Sequence, residues 1–258
     1  MPEVDPEILA IYQISDLIGV MLNGIIGGTI ARQRNYDIIG FLFLALFSAL
    51  GGGMLRDTLI QEGTPAAIVD PSYLALAFTG AMIALVVNFK GRAWELFKVH
   101  GDAIILGVWS VTGCVKALNF ELPWLAAIFM GVLTAIGGGM IRDVVTGDVP
   151  QVFGGGPLYA IPAVLSSVVM VGFHAIGHDA VGMIVSPLLG IALAVLSYWK
   201  GWVFPTAVDW APVNMTAAQL SAALRRAEGK GRRLGRKSER ENHPDDPDDA
   251  GNTGDHRD

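Results

Sequence analysis

Two copies of one motif, both inside apolar segments, constrain the fold of this chain more than any other feature. The first copy reads ALGGGMLRDTL (49–59), and the second, 86 positions later, reads AIGGGMIRDVV (135–145). Glycine costs about 1 kcal/mol relative to alanine within a helix, and an arginine at the centre of a bilayer costs about 2.5–3.5 kcal/mol on the mildest scale. A chain tolerates this combination at membrane depth only where protein or water surrounds it.

The composition indicates a membrane protein. Of the 258 residues, 52% are hydrophobic and only 16% are charged, whereas soluble domains have roughly 25% charged residues. A helix that crosses the hydrocarbon needs about 20 mostly apolar residues. Seven apolar segments are of this kind: 15–31, 38–60, 72–89, 102–119, 124–146, 158–175 and 181–199. We therefore predict an all-α integral membrane protein with seven transmembrane helices, joined by connections such as residues 90–101.

The doubled motif belongs to a longer internal repeat. A shift of 86 positions aligns residues 16–77 with residues 102–163 without a gap. The polar identities include Asp16/Asp102, Arg56/Arg142, Asp57/Asp143 and Tyr73/Tyr159. Each copy contains three predicted spans, and an odd number makes the second copy enter the membrane from the opposite side. The sequence thus predicts two inverted three-helix repeats plus a seventh helix, an arrangement in which paired glycine-interrupted helices mark a transport site near the midplane.

The glycines predict broken helices in spans two and five, with the breaks meeting at the axis of the protein. Adjacent helical residues point about 100° apart, so we expect each arginine to pair elsewhere, with the aspartate of the other motif or with Asp16 and Asp102. Small residues also let transmembrane helices pack, and packing of the repeats through glycines and an Arg–Asp network is the alternative. The candidate pathway residues are Gly51, Gly52, Gly53, Arg56, Asp57, Gly137, Gly138, Gly139, Arg142 and Asp143.

Basic residues predict the orientation in the membrane. If the spans alternate, one side receives Arg32, Arg34, Lys90, Arg92, Lys98 and Lys200, and the other receives at most Lys116. The positive-inside rule then places the N-terminus outside and the C-terminus in the cytoplasm. The predicted parts are an extracytoplasmic N-terminus (1–14), the first repeat with its cytoplasmic loop (15–100), the second repeat (101–180), the seventh helix (181–200) and a charged, largely disordered cytoplasmic tail (201–258).

The tail combines a basic stretch with an acidic C-terminal stretch that is rich in helix breakers. The basic stretch is suited to anionic lipid head groups, and the alternative is a solubilising tail with no partner. Nucleic acid is not an expected partner, because the basic residues adjoin both acidic residues and a membrane.

Patterns typical of catalysis and cofactor binding are not found in the sequence. A single cysteine, Cys114, excludes an intrachain disulfide, and the histidines lack the spacing of metal ligands. The stretch GGGMLRD lacks the preceding strand and the spacing of a nucleotide-binding loop. We expect no cofactor, no metal and no enzymatic activity. Tyr73 and Tyr159 are interpreted as aromatic residues at the membrane interface.

The doubled GGG-x-x-RD motif, with DLIG (16–19) in the first span and VTGCVKAL (111–118) in the fourth, resembles the glycine-transporter-domain family of small bacterial membrane proteins. The resemblance covers roughly residues 14–200. That family is similar in topology to the trimeric intracellular cation channels. The resemblance implies a homotrimer in the bacterial inner (plasma) membrane, a separate pathway in each protomer lined by the two motifs, and glycine as the class of substrate.

The expected function is movement of a small polar solute, with glycine or a similar zwitterion first and a monovalent cation as the alternative. A zwitterion suits a site that offers both signs of charge, because an arginine binds its carboxylate and an aspartate or a carbonyl binds its ammonium group. Two arginines on the path repel cations, and this objection weakens if each arginine has an aspartate partner.

Overall fold

The structure is a computed structural model that describes residues 6–153 and 158–202. Regular structure within these ranges is entirely α-helical. The helices are α1 (Pro6–Gln33), α2 (Ile38–Ile60), α3 (Ala66–Val69), α4 (Pro71–Val86), α5 (Arg92–Asn119), α6 (Trp124–Thr146), α7 (Ala160–Ala175) and α8 (Asp179–Lys200). The predictions for residues 1–5 and for the tail after residue 202 lie outside the described residues.

Five of the described helices are long and apolar enough to cross a membrane: α1 (from Ala10), α2, α5, α6 and α8. The predicted third and sixth spans coincide with α4 and α7, which have 16 residues each. At 1.5 Å per residue such a helix is about 24 Å long, shorter than a hydrocarbon core of about 30 Å. Length and composition alone therefore support five spans, and crossing by α4 and α7 stays a prediction.

The internal repeat is visible in the helix bounds. Helices α1 and α5 begin and end 86 residues apart, and so do α2 and α6. The predicted connection at 90–101 was wrong, because α5 begins at Arg92, directly after Gly91 with its φ of +88°. Buried Trp94 stacks between Phe89 and Phe97, so the first turns of α5 are held by aromatic packing rather than by a long apolar run.

Helix packing joins two groups of helices through α2 and α6. Helix α1 packs against α2 and α4, whereas α5 packs against α6, α7 and α8. The contact of α2 with α6 and a smaller contact of α1 with α5 connect the two groups. The central core lies where these four helices meet and includes Val20, Leu50, Leu106 and Ile136.

The predicted helix breaks at the glycine triplets are wrong, since α2 and α6 each continue as α-helix through their three glycines. Opening a helix in apolar surroundings leaves backbone N–H and C=O groups without partners, at a cost of several kcal/mol for each group. Three glycines in place of alanines cost only about 3 kcal/mol in total. The closed helix is therefore favoured.

The glycines instead allow the backbones of α2 and α6 to touch. A Cβ on Gly52 would lie 2.2 Å from the carbonyl oxygen of Thr134, and one on Gly138 would lie 2.4 Å from that of Ser48. The helices meet over Gly51, Gly52, Gly137 and Gly138, which we call the glycine contact. Helix packing, the alternative interpretation of the sequence, therefore accounts for the first two glycines of each triplet.

The third glycines have more space. A Cβ on Gly53 would meet only the guanidinium of Arg56, at 3.8 Å. One on Gly139 would meet the hydroxyl of Tyr159 at 3.5 Å and the guanidinium of Arg142 at 3.7 Å. These are ordinary contact distances, so the third position of each triplet faces polar side chains and not the other helix.

We expect Gly52→Ala to destabilise the protein by about 1–3 kcal/mol, since the added methyl group overlaps the backbone of α6. Gly53→Ala is the matched control, and its stability should be unchanged or slightly higher because alanine favours the helix. Thermal unfolding of the purified protein in detergent measures the difference. Equal unfolding temperatures for the two variants would contradict the glycine contact.

Candidate functional site

Four polar side chains of each repeat gather on either side of the glycine contact. We call these groups the first and the second half-site. The first half-site consists of Asp16, Arg56, Asp57 and Tyr73. The second half-site consists of Asp102, Arg142, Asp143 and Tyr159, each 86 positions later. The structure thus brings all the predicted charged residues into two equivalent clusters.

Each arginine pairs with the aspartate that follows it. The Nε of Arg56 donates to Oδ1 of Asp57 at 2.7 Å. Arg142 donates to Oδ1 of Asp143 through Nε at 2.9 Å and through Nη2 at 2.7 Å. The prediction that neighbouring residues do not satisfy each other was wrong. The long arginine side chain folds back across the 100° between successive residues, because a buried charge needs a partner.

The second carboxylate oxygen of each aspartate holds the chain that follows its helix. Oδ2 of Asp57 accepts a hydrogen bond from the backbone N–H of Ala66 at 3.0 Å. Oδ2 of Asp143 accepts one from the backbone N–H of Gln151 at 3.4 Å. Each aspartate therefore connects its arginine to a loop that lines the same half-site.

Asp16 and Asp102 lie near the arginines without forming ion pairs with them among the described salt bridges. Asp16 instead accepts a hydrogen bond from the hydroxyl of Tyr73, and Tyr159 interacts with Asp102 in the second half-site. Both tyrosines therefore belong to the half-sites, a role that the sequence analysis did not assign to them, and their position at the membrane interface stays a prediction. Their occurrence at the same offset as the aspartates and arginines was the signal that places them in the site.

Lys116 is a site residue that the sequence analysis did not identify. Its Nζ lies 2.7 Å from Oδ1 of Asp57, the oxygen that also accepts from Arg56. Lys116 is on α5 and Asp57 is on α2, so this pair links the two repeats. A link of this kind was expected from the arginines, and a lysine forms it instead. The ammonium group remains partly accessible, with the lysine side chain 31% exposed against 5% for Asp57.

The two half-sites border cavities of very different size. A cavity of about 20 Å³ lies in the first half-site, with Gly53, Trp109 and Thr134 also in its wall. A cavity of about 470 Å³ lies in the second half-site, and its wall includes Asp102, Arg142 and Tyr159 together with Ile30 and Lys98. The first has room for about one water molecule, whereas the second accommodates a small solute with its hydration.

Loop contacts support the wall of the larger cavity. The loop after α6 contributes Val149 and Gln151 to that wall, and Asp148 in the same loop pairs with Arg34. The guanidinium of Arg34 lowers the pKa of the Asp148 carboxyl below its usual value. Because the pKa in the folded protein is depressed, this pair is present at neutral pH and is lost as the pH falls through that pKa.

We expect Asp57→Asn to lower the free energy of unfolding by about 3 kcal/mol or more, because two cations then face a buried position without a negative partner. Asp148→Asn breaks an exposed pair and is the matched control, with an unfolding temperature close to that of the parent. Thermal unfolding in detergent at neutral pH provides the measurement. If Asp57→Asn unfolds at the parent temperature, the buried network does not stabilise the fold.

The chain is similar in sequence to one family of membrane proteins and in fold to solved membrane channels. The sequence model of one protein family, described as glycine transporter, matches residues 13–88 and again residues 100–175. The UPF0126 membrane protein of Deinococcus radiodurans is 32% identical over 137 residues, which is 53% of this chain and 64%, just under two thirds, of that protein. The UPF0126 inner membrane protein YadS of Escherichia coli K12 is 30% identical over 190 residues, covering 69% of this chain and 88% of that protein.

A solved TRIC cation channel has the same fold. It matches with a TM-score of 0.70 and 26% identity, over 79% of this chain and 98% of the channel. Two copies of one domain, the curated relatives and this likeness to a membrane channel are consistent with one another. The chain therefore belongs to the glycine transporter family of membrane proteins, a family of the transport type, and shares the fold of the TRIC cation channels.

Proposed function

We propose that the protein moves a small polar solute, glycine or a similar small amino acid, through a pathway within each protomer that is lined by α2 and α6. The observation that carries the proposal is the cavity of about 470 Å³ in the second half-site, which holds Arg142 and Asp102 within an apolar helical bundle. Charged groups inside a membrane bundle are costly and mark solute pathways. An apolar solute would form no favourable interaction with these charged groups.

Both signs of charge in one cavity suit a zwitterion. Two of the five N–H donors of the Arg142 guanidinium go to Asp143, and the solute carboxylate would use others on its outer edge. Asp102, beside Tyr159, would accept from the solute ammonium group. The smallest amino acid has no side chain to accommodate. Beside these two charges the wall holds aliphatic residues together with Glu95, Lys98 and Gln151.

The glycine contact is the proposed constriction between the two half-sites. In this proposal it separates the two cavities. A side chain at Gly52 or Gly138 would overlap the backbone of the other helix. In this proposal the first two glycines of each triplet shape the constriction by packing. The third glycines, Gly53 and Gly139, and the four charged residues of the motifs contact the solute or position groups that do.

The proposed topology is that of two inverted repeats. Helices α1, α2 and α4 form one repeat, α5, α6 and α7 form the other, and α8 has no counterpart. The N-terminus is proposed to lie outside and the C-terminus in the cytoplasm, with the protein in the inner membrane like the relative from Escherichia coli. We propose a homotrimer, because TRIC channels are trimeric, and contact of the basic tail with anionic lipids.

A monovalent cation channel is the second candidate function. Its support is the likeness to a TRIC cation channel together with the pairing of each arginine with its neighbouring aspartate. This pairing removes much of the positive charge that would repel a cation. Asp16 and Asp102, which carry no arginine partner among the described salt bridges, would then be the residues that attract the ion.

Flux through reconstituted protein distinguishes the two functions. We expect proteoliposomes to take up labelled glycine with saturation, and Arg142→Ala to reduce that uptake at least about tenfold, since it removes charged hydrogen bonds to the solute. Arg142→Lys keeps a positive charge beside Asp143 and tests whether the planar guanidinium is required. Arg92→Ala removes an exposed arginine at the start of α5 that lies in neither cavity wall, and it is the control that should transport normally.

The channel function predicts a different result. Planar bilayers would then show unitary potassium currents that glycine does not alter, and Arg142→Ala would conduct at least as well as the parent. Glycine uptake at the level of empty liposomes, together with such currents, would overturn the transporter proposal in favour of the channel. Normal glycine uptake by a folded Arg142→Ala variant would show that this arginine has only a structural role.

A further inference from the structure

The two half-sites contain the same four residue types, yet the cavities that they border differ greatly in volume. Their cavities measure about 20 Å³ and about 470 Å³. The arginine–aspartate pair and the aspartate-to-loop hydrogen bond occur in both. The difference therefore lies outside these shared contacts, in positions at which the two copies of the repeat differ or in α8, whose Ala194 and Tyr198 line the larger cavity and not the smaller one.

One pair of corresponding positions at which the two copies of the repeat differ is 30 and 116. They correspond at the offset of 86, and the repeat places isoleucine at the first and lysine at the second. Ile30 lines the large cavity of the second half-site, where an aliphatic side chain forms no ion pair. Lys116 reaches across from α5 and pairs with Asp57 of α2 in the first half-site.

We propose that the ion pair of Lys116 with Asp57 holds the first half-site closed, and that this pair must dissociate before a solute can pass through it. The inference rests on the proposed function to the extent that the solute crosses both half-sites. Lys116 is thus assigned as a gating residue of the pathway, one that acts on access and not on the constriction itself.

The bonding of Asp57 explains how one lysine can close the cavity. One carboxylate oxygen accepts from Arg56 and Lys116, and the other accepts from the N–H of Ala66. Ala66 and Ala67 form part of the cavity wall. Asp57 therefore joins α2, α5 and the start of α3 around a space of about 20 Å³, and Lys116 provides the link to α5.

The same pair is suited to reversible opening. The lysine side chain is 31% exposed, so its ammonium group can exchange Asp57 for water at a lower cost than a fully buried cation. A zwitterionic solute offers a carboxylate to Lys116 and an ammonium group to Asp57. Such a solute replaces both halves of the pair that it breaks, whereas a simple cation replaces only one.

Cysteine accessibility tests the proposal without any transport measurement. All variants carry Cys114→Ser, which replaces the single, buried cysteine of the chain so that only the reporter can react. The reporter is Leu50→Cys in the wall of the first cavity. The protein is placed in lipid nanodiscs, where both faces meet a charged, membrane-impermeant thiol reagent. We expect Lys116→Met to raise the modification rate of the reporter at least about fivefold, which is the low end of the factors by which two coupled sites commonly affect each other.

Matched variants restrict the interpretation. Lys116→Arg keeps the ion pair and should leave the rate at the parent value, whereas Lys116→Gln should behave like Lys116→Met. Lys98→Met removes a lysine that borders the second cavity and should not change the rate. A second reporter, Ala194→Cys in the wall of the second cavity, should react rapidly in every variant.

The outcomes separate this proposal from the proposed function. An unchanged reporter rate in folded Lys116→Met and Lys116→Gln variants, with folding checked by thermal unfolding, overturns the gating role even if glycine is transported. A raised rate in a protein that shows no glycine flux supports the gating role and rejects glycine as the solute. If Lys98→Met raises the rate as much as Lys116→Met, the effect is one of general charge and the proposal is wrong.

Discussion

Contact between the backbones of α2 and α6 at the glycine contact is the constraint on which the other features depend. A Cβ on Gly52 would approach the carbonyl oxygen of Thr134 to 2.2 Å, so only glycine allows this approach. The arginine and the aspartate of each motif pair with each other, so the first motif contributes one ion pair to the first half-site and the second motif contributes one to the second half-site. The four charged residues therefore form two separate clusters and not one central cluster.

The charged pairs show how a membrane bundle keeps ionised side chains. Arg56 and Arg142 are each 6% exposed, and each has an aspartate as its direct neighbour in sequence and in space. Each aspartate also accepts a backbone N–H from a loop, so the charge is shared among several donors. A nearly neutral pair of this kind is compatible with both proposed solutes, a zwitterion and a cation. The two proposed functions therefore use the same residues.

Much of the helical framework could be predicted from the chain. Helices α2 and α6 begin and end at the predicted residues 38, 60, 124 and 146, because an apolar run bounded by polar residues is a local property. Predictions that depended on distant neighbours were less successful. The glycines do not break their helices, the arginines pair locally, and Tyr73 donates to Asp16. Lys116 was noted only for its charge, since nothing local to residue 116 indicates Asp57.

The sequence by itself determined that this is an all-helical membrane-type chain with a repeat of 86 positions, and it identified the motif residues that gather around one contact. Hydrophobic length and a constant offset are properties of the chain, and they do not require coordinates. Only the tertiary structure decided what the glycines touch, which oxygen each cation binds and that equivalent half-sites border such unequal cavities. Those features depend on distances between helices that are far apart in sequence, as in the pairing of Lys116 on α5 with Asp57 on α2.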